Sequence, residues 1–210
     1  MSKHFEPTTD VFMDIGELAD TKLPDPTLLE YYRLLKNREI VWNTEIDDSM
    51  IDIPLYIMKW NREDAGTSIE ERKPIKIWIN SNGGDADITA FTANVITLSH
   101  TPVITIGMGK VYSSGCLLLM AGHKRLVFES TSALIHDGST GAIGDMGKVI
   151  DNIDFAKRQE EHLRAFILSH TKIPCELLDK NFRRDWFLLS DEIIEYGIAD
   201  SIITDICEVL

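Results

Sequence analysis

Two glycine-containing turns, NSNGGD at 80–85 and GMGKVYSSG at 107–115, each follow an apolar strand signal and precede a helical one. At the carboxyl ends of strands in an α/β sheet, such turns aim unpaired backbone N–H groups into a crevice, where they can hold developing negative charge. In the second turn Ser113 stands where a strand-to-helix turn exposes a hydroxyl. Gly115 follows two residues on, and Val111 replaces the first glycine of a nucleophile elbow. His136 ends the apolar run ALIH just before DGSTG and is the candidate base; the other five histidines have no comparable setting. A serine activated by histidine and facing paired backbone donors is acyl-transfer chemistry. Plainer readings exist for each residue. A serine before a helix caps it more often than it attacks, which gives Ser114 the role of cap while Ser113 attacks. Gly83-Gly84 alone requires no more than a positive-φ turn.

These residues need a frame that brings strand ends together. IKIWIN, PVITIGM, RLVFE and SALIH read as strands, with helices at 88–98 and 114–121 between them. Strands separated by helices predict a mainly parallel, doubly covered sheet and an α/β fold. Before them come an N-terminal arm over 1–27, rich in polar residues and proline, a helix at 28–36, and the strand EIVWN. DDSMIDIPLYIMKWN then carries helical spacing, and 61–73 reads as a charged surface loop. The domain proper spans 28–210. A long helix at 146–170 has Val149, Ile153, Ala156, Leu163 and Ile167 on one stripe and charges elsewhere. DEIIEYGIADSIIT reads as a short helix stopped at Gly197 and a closing strand.

Composition narrows the function classes. With 210 residues, 44% of them hydrophobic, one domain with a real core is expected. The net charge of −13 disfavours nucleic acid and anionic membranes as partners. MSKHFEPTTDVFMD holds no apolar run suited to a signal peptide, and GCLLLMAG is too short to span a bilayer, so a cytoplasmic location is expected. Cys116, Cys175 and Cys207 are widely spaced among apolar residues; they read as buried small hydrophobes, with no disulfide, metal or cofactor role.

The runs INSNGGDADITAF, GMGKVYSSGCLLLMAG, ALIHDGSTG and RRDWFLLSDEIIEYGIADSI resemble, in order and spacing, the Clp protease proteolytic subunit, from about Leu34 to Ile206. The resemblance implies a ClpP/crotonase-like spiral of βαβ units with a protruding handle helix, the handle matching 146–170. It implies a serine endopeptidase that cleaves unfolded chains or short peptides through an acyl-enzyme. Ser113 would be nucleophile, His136 base, and the N–H groups of Gly84 and Ser114 the oxyanion hole. It also implies a homo-oligomer, a heptamer or stacked double heptamer, served by an AAA+ unfoldase.

The match departs from the family in three regions. The family's catalytic aspartate falls on Asn181, which orients an imidazole through its carbonyl oxygen but brings no charge. Asp179 and Asp185 are the nearby substitutes, Asp185 already matching another aspartate of the family. Lys180 stands where the family usually carries the arginine of its oligomerisation switch, and lysine lacks the bidentate fork. The arm before Leu34 does not resemble the axial loops that engage an unfoldase, and extra sequence surrounds 66–72. Asn181 leaves open a structural or regulatory ring subunit that pairs with an active paralogue. The related crotonase-type acyl-CoA enzymes and phage prohead maturation peptidases are further alternatives.

Overall fold

The segment IKIWINS alternates strictly: in β2 (Ile75–Ser81) Ile75, Ile77, Ile79 and Ser81 are buried, while Lys76, Trp78 and Asn80 are half-buried. Such alternation makes a strand with one fully packed face. The computed structural model in which it sits describes residues 26–139 and 141–210, so nearly all of the arm expected over 1–27 lies outside the described residues. The chain divides after Asn37 into two units. In the first, helix α1 (Pro26–Lys36) starts with proline, whose missing N–H costs nothing in a first turn, and ends with Arg33 and Lys36 against the negative end of the helix dipole.

The second unit is built on a seven-stranded sheet of β1 (Glu39–Trp42), β2, β3 (Val103–Tyr112), β4 (Lys124–Val127), β5 (Ser132–Ile135), β6 (Trp186–Leu189) and β7 (Ser201–Ile202). The order β1-β2-β3-β4-β7 is parallel throughout. β5 also pairs in parallel with β3, and β6 runs antiparallel beside β5. Helices α2 (Asp52–Glu63), α3 (Ala86–Thr97) and α4 (Ser114–Met120) make the crossovers that parallel pairing requires. From α4 and the sheet, Leu118, Leu119, Ile77, Ile79 and Val111 are fully buried, each stabilising the fold by about 1.5–3 kcal/mol. On the face that carries Trp78, Ile104 and Phe128 the chain's own end closes the layer. Val209 packs with Ile106, Leu126 and Ile203, and Lys76 Nζ donates to the Val209 carbonyl at 2.6 Å.

β3 is longer than PVITIGM predicts, because the strand continues through Lys110, Val111 and Tyr112 to Ser113. Its first half pairs β4 through Gly107, and its second half pairs β5 from Lys110. The β2–β3 register shifts between Ile79 and Ser81. Asn80 fills that irregularity, its Oδ1 accepting from Lys110 N at 2.9 Å; a Cβ on Gly109 would lie 2.9 Å from the same oxygen. Beyond this shift the end of β3 pairs with β5.

Helix α5 (Met146–His170) has the predicted bounds, but Ile167 is its only buried residue. Val149, Ala156 and Leu163 are half-buried, while Ile150, Ile153 and Phe155 are exposed. Helices α6 (Cys175–Asn181) and α7 (Ser190–Glu195) flank β6. Neither α6 nor β6 was marked by the sequence periodicity, both being too short to show it. The expectation for the cysteines is corrected in part: Cys116 is buried, whereas Cys175 and Cys207 are exposed.

A buried ion pair ties the start of β1 to the end of α2. Arg38 grips Asp64 through two hydrogen bonds of 2.6 and 2.8 Å, and Thr101 Oγ1 donates to the same carboxylate. The Arg38 hydrogen bond, with help from Thr101, holds the Asp64 carboxyl below its usual 3.8 against the opposing effect of burial.

Candidate active site

Ser113 joins β3 to α4 with φ 52 and ψ −121, one of two described non-glycine residues at positive φ. A serine adopts that strained conformation when its surroundings enforce it. Here the strand side is fixed by Ser113 N donating to Leu134 O at 2.8 Å, and the helix side by Cys116 N donating to Ser113 O at 2.9 Å. The sharp turn needs room, which Gly83 supplies: a Cβ there would lie 2.8 Å from Ser113 Cβ and 3.2 Å from its Oγ. The turn seen in sequence around 107–115 is therefore a strand end and a single strained residue.

His136 directly follows β5, the parallel neighbour of the end of β3, and its Nε2 lies 2.8 Å from Ser113 Oγ. That distance is hydrogen-bonded and within the reach of a nucleophile and its base. The ring is mostly enclosed, with 24% of the side chain exposed, and its Nδ1 lies 3.3 Å from Asp185 Oδ1.

Asn181 does not take that place. It ends α6, and its Nδ2 donates to Leu177 O at 2.9 Å, closing its own helical turn. Arg184 N donates to Asn181 O at 2.9 Å, turning the chain into β6. The antiparallel ladder pairs Ile135 with Trp186, and one step further it sets His136 opposite Asp185. Of the carboxylates weighed from the sequence, Asp179 is engaged by Arg164. Of the two substitutes the sequence offers, Asp185 is the one beside His136, and its placement depends on a β5–β6 register that neither segment displays alone.

Gly84 lies at φ +144, and a Cβ there would fall 2.1 Å from the Ile46 carbonyl oxygen, so only glycine fits. Around it Ile46 N donates to Gly83 O and Asp85 N donates to Ile46 O, each at 2.8 Å. These bonds fix both flanking peptides and leave the Gly84 N–H without an acceptor among the described residues. Ser114 is the first residue of α4, where an amide has no intrahelical acceptor. It is not the helix cap: Ser113 occupies that position, and Ser114 Oγ donates instead to Gly84 O at 3.0 Å. That bond holds together the two backbone segments named as donors.

A model of the Clp protease family matches residues 27–205. The chain belongs to the Clp protease family. Among curated relatives, the ATP-dependent Clp protease proteolytic subunit 2 of Treponema pallidum (strain Nichols) is 28% identical over 178 residues, covering 82% of this chain and 85% of that protein. Among solved structures, a ClpP1 mutant from Listeria monocytogenes superposes with a TM-score of 0.71 at 23% identity, over 85% of this chain and 98% of the other. The fold is therefore that of ClpP, as the motif resemblance implies. Within this Clp-family site, Cys116 stands three residues after Ser113, but burial pushes its thiol up to about 12. A neutral buried thiol is a poor rival nucleophile. Among the described residues no group of three or more His, Cys, Asp or Glu side chains is placed to hold a metal ion, and no helix is long and apolar enough to cross a membrane.

Proposed function

We propose that this Clp protease family subunit is a serine endopeptidase in which Ser113 attacks, His136 moves the proton, and Asp185 orients the imidazole. The observation that carries this reading is the 2.8 Å contact between Ser113 Oγ and His136 Nε2, made by a serine held at positive φ. With Nδ1 protonated toward Asp185, Nε2 is free to accept the Ser113 proton as Oγ bonds to the scissile carbonyl carbon. The carbonyl oxygen takes up the negative charge and receives hydrogen bonds from Gly84 N–H and Ser114 N–H, each donor being worth about 10²–10³ in rate. The imidazolium then protonates the leaving amine, the C–N bond breaks, and an acyl-Ser113 ester remains. Water, deprotonated by the same Nε2, hydrolyses the ester and restores the serine.

The substrates are unfolded polypeptides or short peptides. The open apolar stripe of α5 supports a ring assembly of like subunits, a heptamer or a stacked pair. The Treponema relative's name calls it ATP-dependent, which supports an ATP-driven partner, an AAA+ unfoldase in this reading. A second reading, a structural ring subunit that assembles with an active paralogue, draws on Asp185: its side chain is 65% exposed, so water weakens its hold on His136. Reaction with a fluorophosphonate probe separates the two. Labelling that disappears in Ser113→Ala supports the peptidase, and an unlabelled parent chain supports the structural subunit.

A further inference from the structure

Beside the serine turn lies a polar cavity of about 140 Å³ whose lining includes Asn43, Glu45, Asn80, Asn82 and Lys110. Its hydrogen bonds fix the direction of every amide. Asn80 Oδ1 accepts from the backbone N–H of Lys110, so Asn80 Nδ2 is the donor to Asn43 Oδ1 at 2.7 Å. Lys110 Nζ is donor-only, so Asn82 turns its Oδ1 toward it at 3.1 Å. Each amide oxygen thus accepts one hydrogen bond and keeps a second lone pair, and the free donors are Asn43 Nδ2, Asn82 Nδ2 and the remaining protons of Lys110, all on exposed side chains. Glu45 is the counterweight, a carboxylate with no hydrogen-bond partner among the described residues.

Free donors and free acceptors side by side, with one positive and one negative charge, match a neutral group that both accepts and donates. A carboxylate gains Lys110 but meets Glu45, an ammonium meets Lys110, and an aliphatic chain makes no hydrogen bond with these exposed polar side chains. Both walls lead to the nucleophile. Asn82 precedes Gly83, which abuts Ser113, and Lys110 lies three residues before Ser113 on β3, at most about 11 Å between Cα atoms.

We propose that this cavity is a specificity subsite that receives a glutamine or asparagine side chain of the substrate. The inference rests on the peptidase reading of Ser113 for its purpose, though its binding is measurable without turnover. In Ser113→Ala, fluorescent peptides that carry glutamine at successive positions of a leucine and alanine background are compared by anisotropy with glutamate, lysine and leucine counterparts. At one position glutamine binds about tenfold tighter than leucine, the scale of one or two hydrogen bonds. Adding Lys110→Met or Asn82→Ala removes that advantage. If no position favours glutamine, or if the preference survives both substitutions, the subsite is wrong and the peptides are held by their main chain. Fluorophosphonate labelling of the parent keeps the two readings apart: labelling without a glutamine preference removes the subsite alone, and a preference without labelling removes the peptidase alone.

Discussion

His136 and Asp185 face each other one step beyond the last pair of the β5–β6 ladder, with Nδ1 3.3 Å from Oδ1. The pair comes from strand register, and a carboxylate so placed keeps the imidazole in the tautomer that frees Nε2. Asp185→Ala is therefore expected to lower kcat about 10²-fold with KM little changed. The loss stays below the ~10⁴ seen when trypsin's buried triad acid becomes its amide, because Asp185 is largely exposed. A kcat equal to that of the parent would overturn its role.

Asn181→Asp is expected to bring no gain in turnover. The amide donates to Leu177 O, and a carboxylate there would face that carbonyl oxygen across the same 2.9 Å. Peptide turnover of parent and variant, compared at equal oligomer concentration, checks this. A clear acceleration would show that residue 181 reaches His136 during the reaction.

Ser113→Ala and Ser114→Ala separate hydroxyl from backbone. The first should abolish hydrolysis of a fluorogenic peptide. The second removes only the bond from Ser114 Oγ to Gly84 O and keeps both proposed N–H donors, so most turnover should remain. Retained hydrolysis in Ser113→Ala with loss in Ser114→Ala would shift the nucleophile by one residue.

Much of this site is legible in the sequence because its parts are local. Gly83 and Gly84 announce a turn no side chain fits, Ser113 falls between a strand and a helix, and His136 ends an apolar strand. The strand–helix alternation gives the parallel sheet for the same reason, since each βαβ unit is written in consecutive residues. Asp185 is legible only as one of two nearby carboxylates, not as the partner of His136. It reaches His136 only through an antiparallel register between segments some fifty residues apart, and a motif count points to Asn181 instead. The length of β3 was hidden too. Gly107 and Gly109 look like turn residues, yet they serve close contacts within a continuous strand, where Gly109 makes room for Asn80.

Asp64 gives a stability prediction with a defined pH window. Asp64→Asn takes from the part-buried Arg38 guanidinium its nearest charge partner, leaving only Glu63 at 3.9 Å, and should destabilise the fold by about 3 kcal/mol near pH 7, read by urea unfolding. Because Arg38 holds this carboxyl below its usual 3.8, the ion pair's contribution is complete above that pH. It is lost as pH falls through the lower, folded-state value. The gap between parent and variant should therefore stay constant from about pH 8 to 5 and narrow only below about 3.8. A gap that closes near neutral pH would assign the stability to another group.

The exposed stripe of α5 makes the last prediction. A helix of 25 residues that buries only Ile167 within its own chain, while Ile150 and Ile153 stay exposed one turn apart on one face, leaves an apolar surface that water disfavours. Association of like subunits along this helix removes that surface, and each buried aliphatic or aromatic side chain then contributes on the order of 1.5–3 kcal/mol before the cost of ordering. Light scattering of the parent chain should therefore give a particle of several subunits, stable on dilution into the micromolar range. Ile153→Glu places a carboxylate in the middle of the stripe. Burying it unpaired is costly, so the variant should give smaller particles with an unchanged circular dichroism spectrum, since a side chain exposed in the single chain contributes little to its fold. A parent that stays monomeric across the whole concentration range would remove the ring assembly. A variant that assembles like the parent would move the interface away from α5.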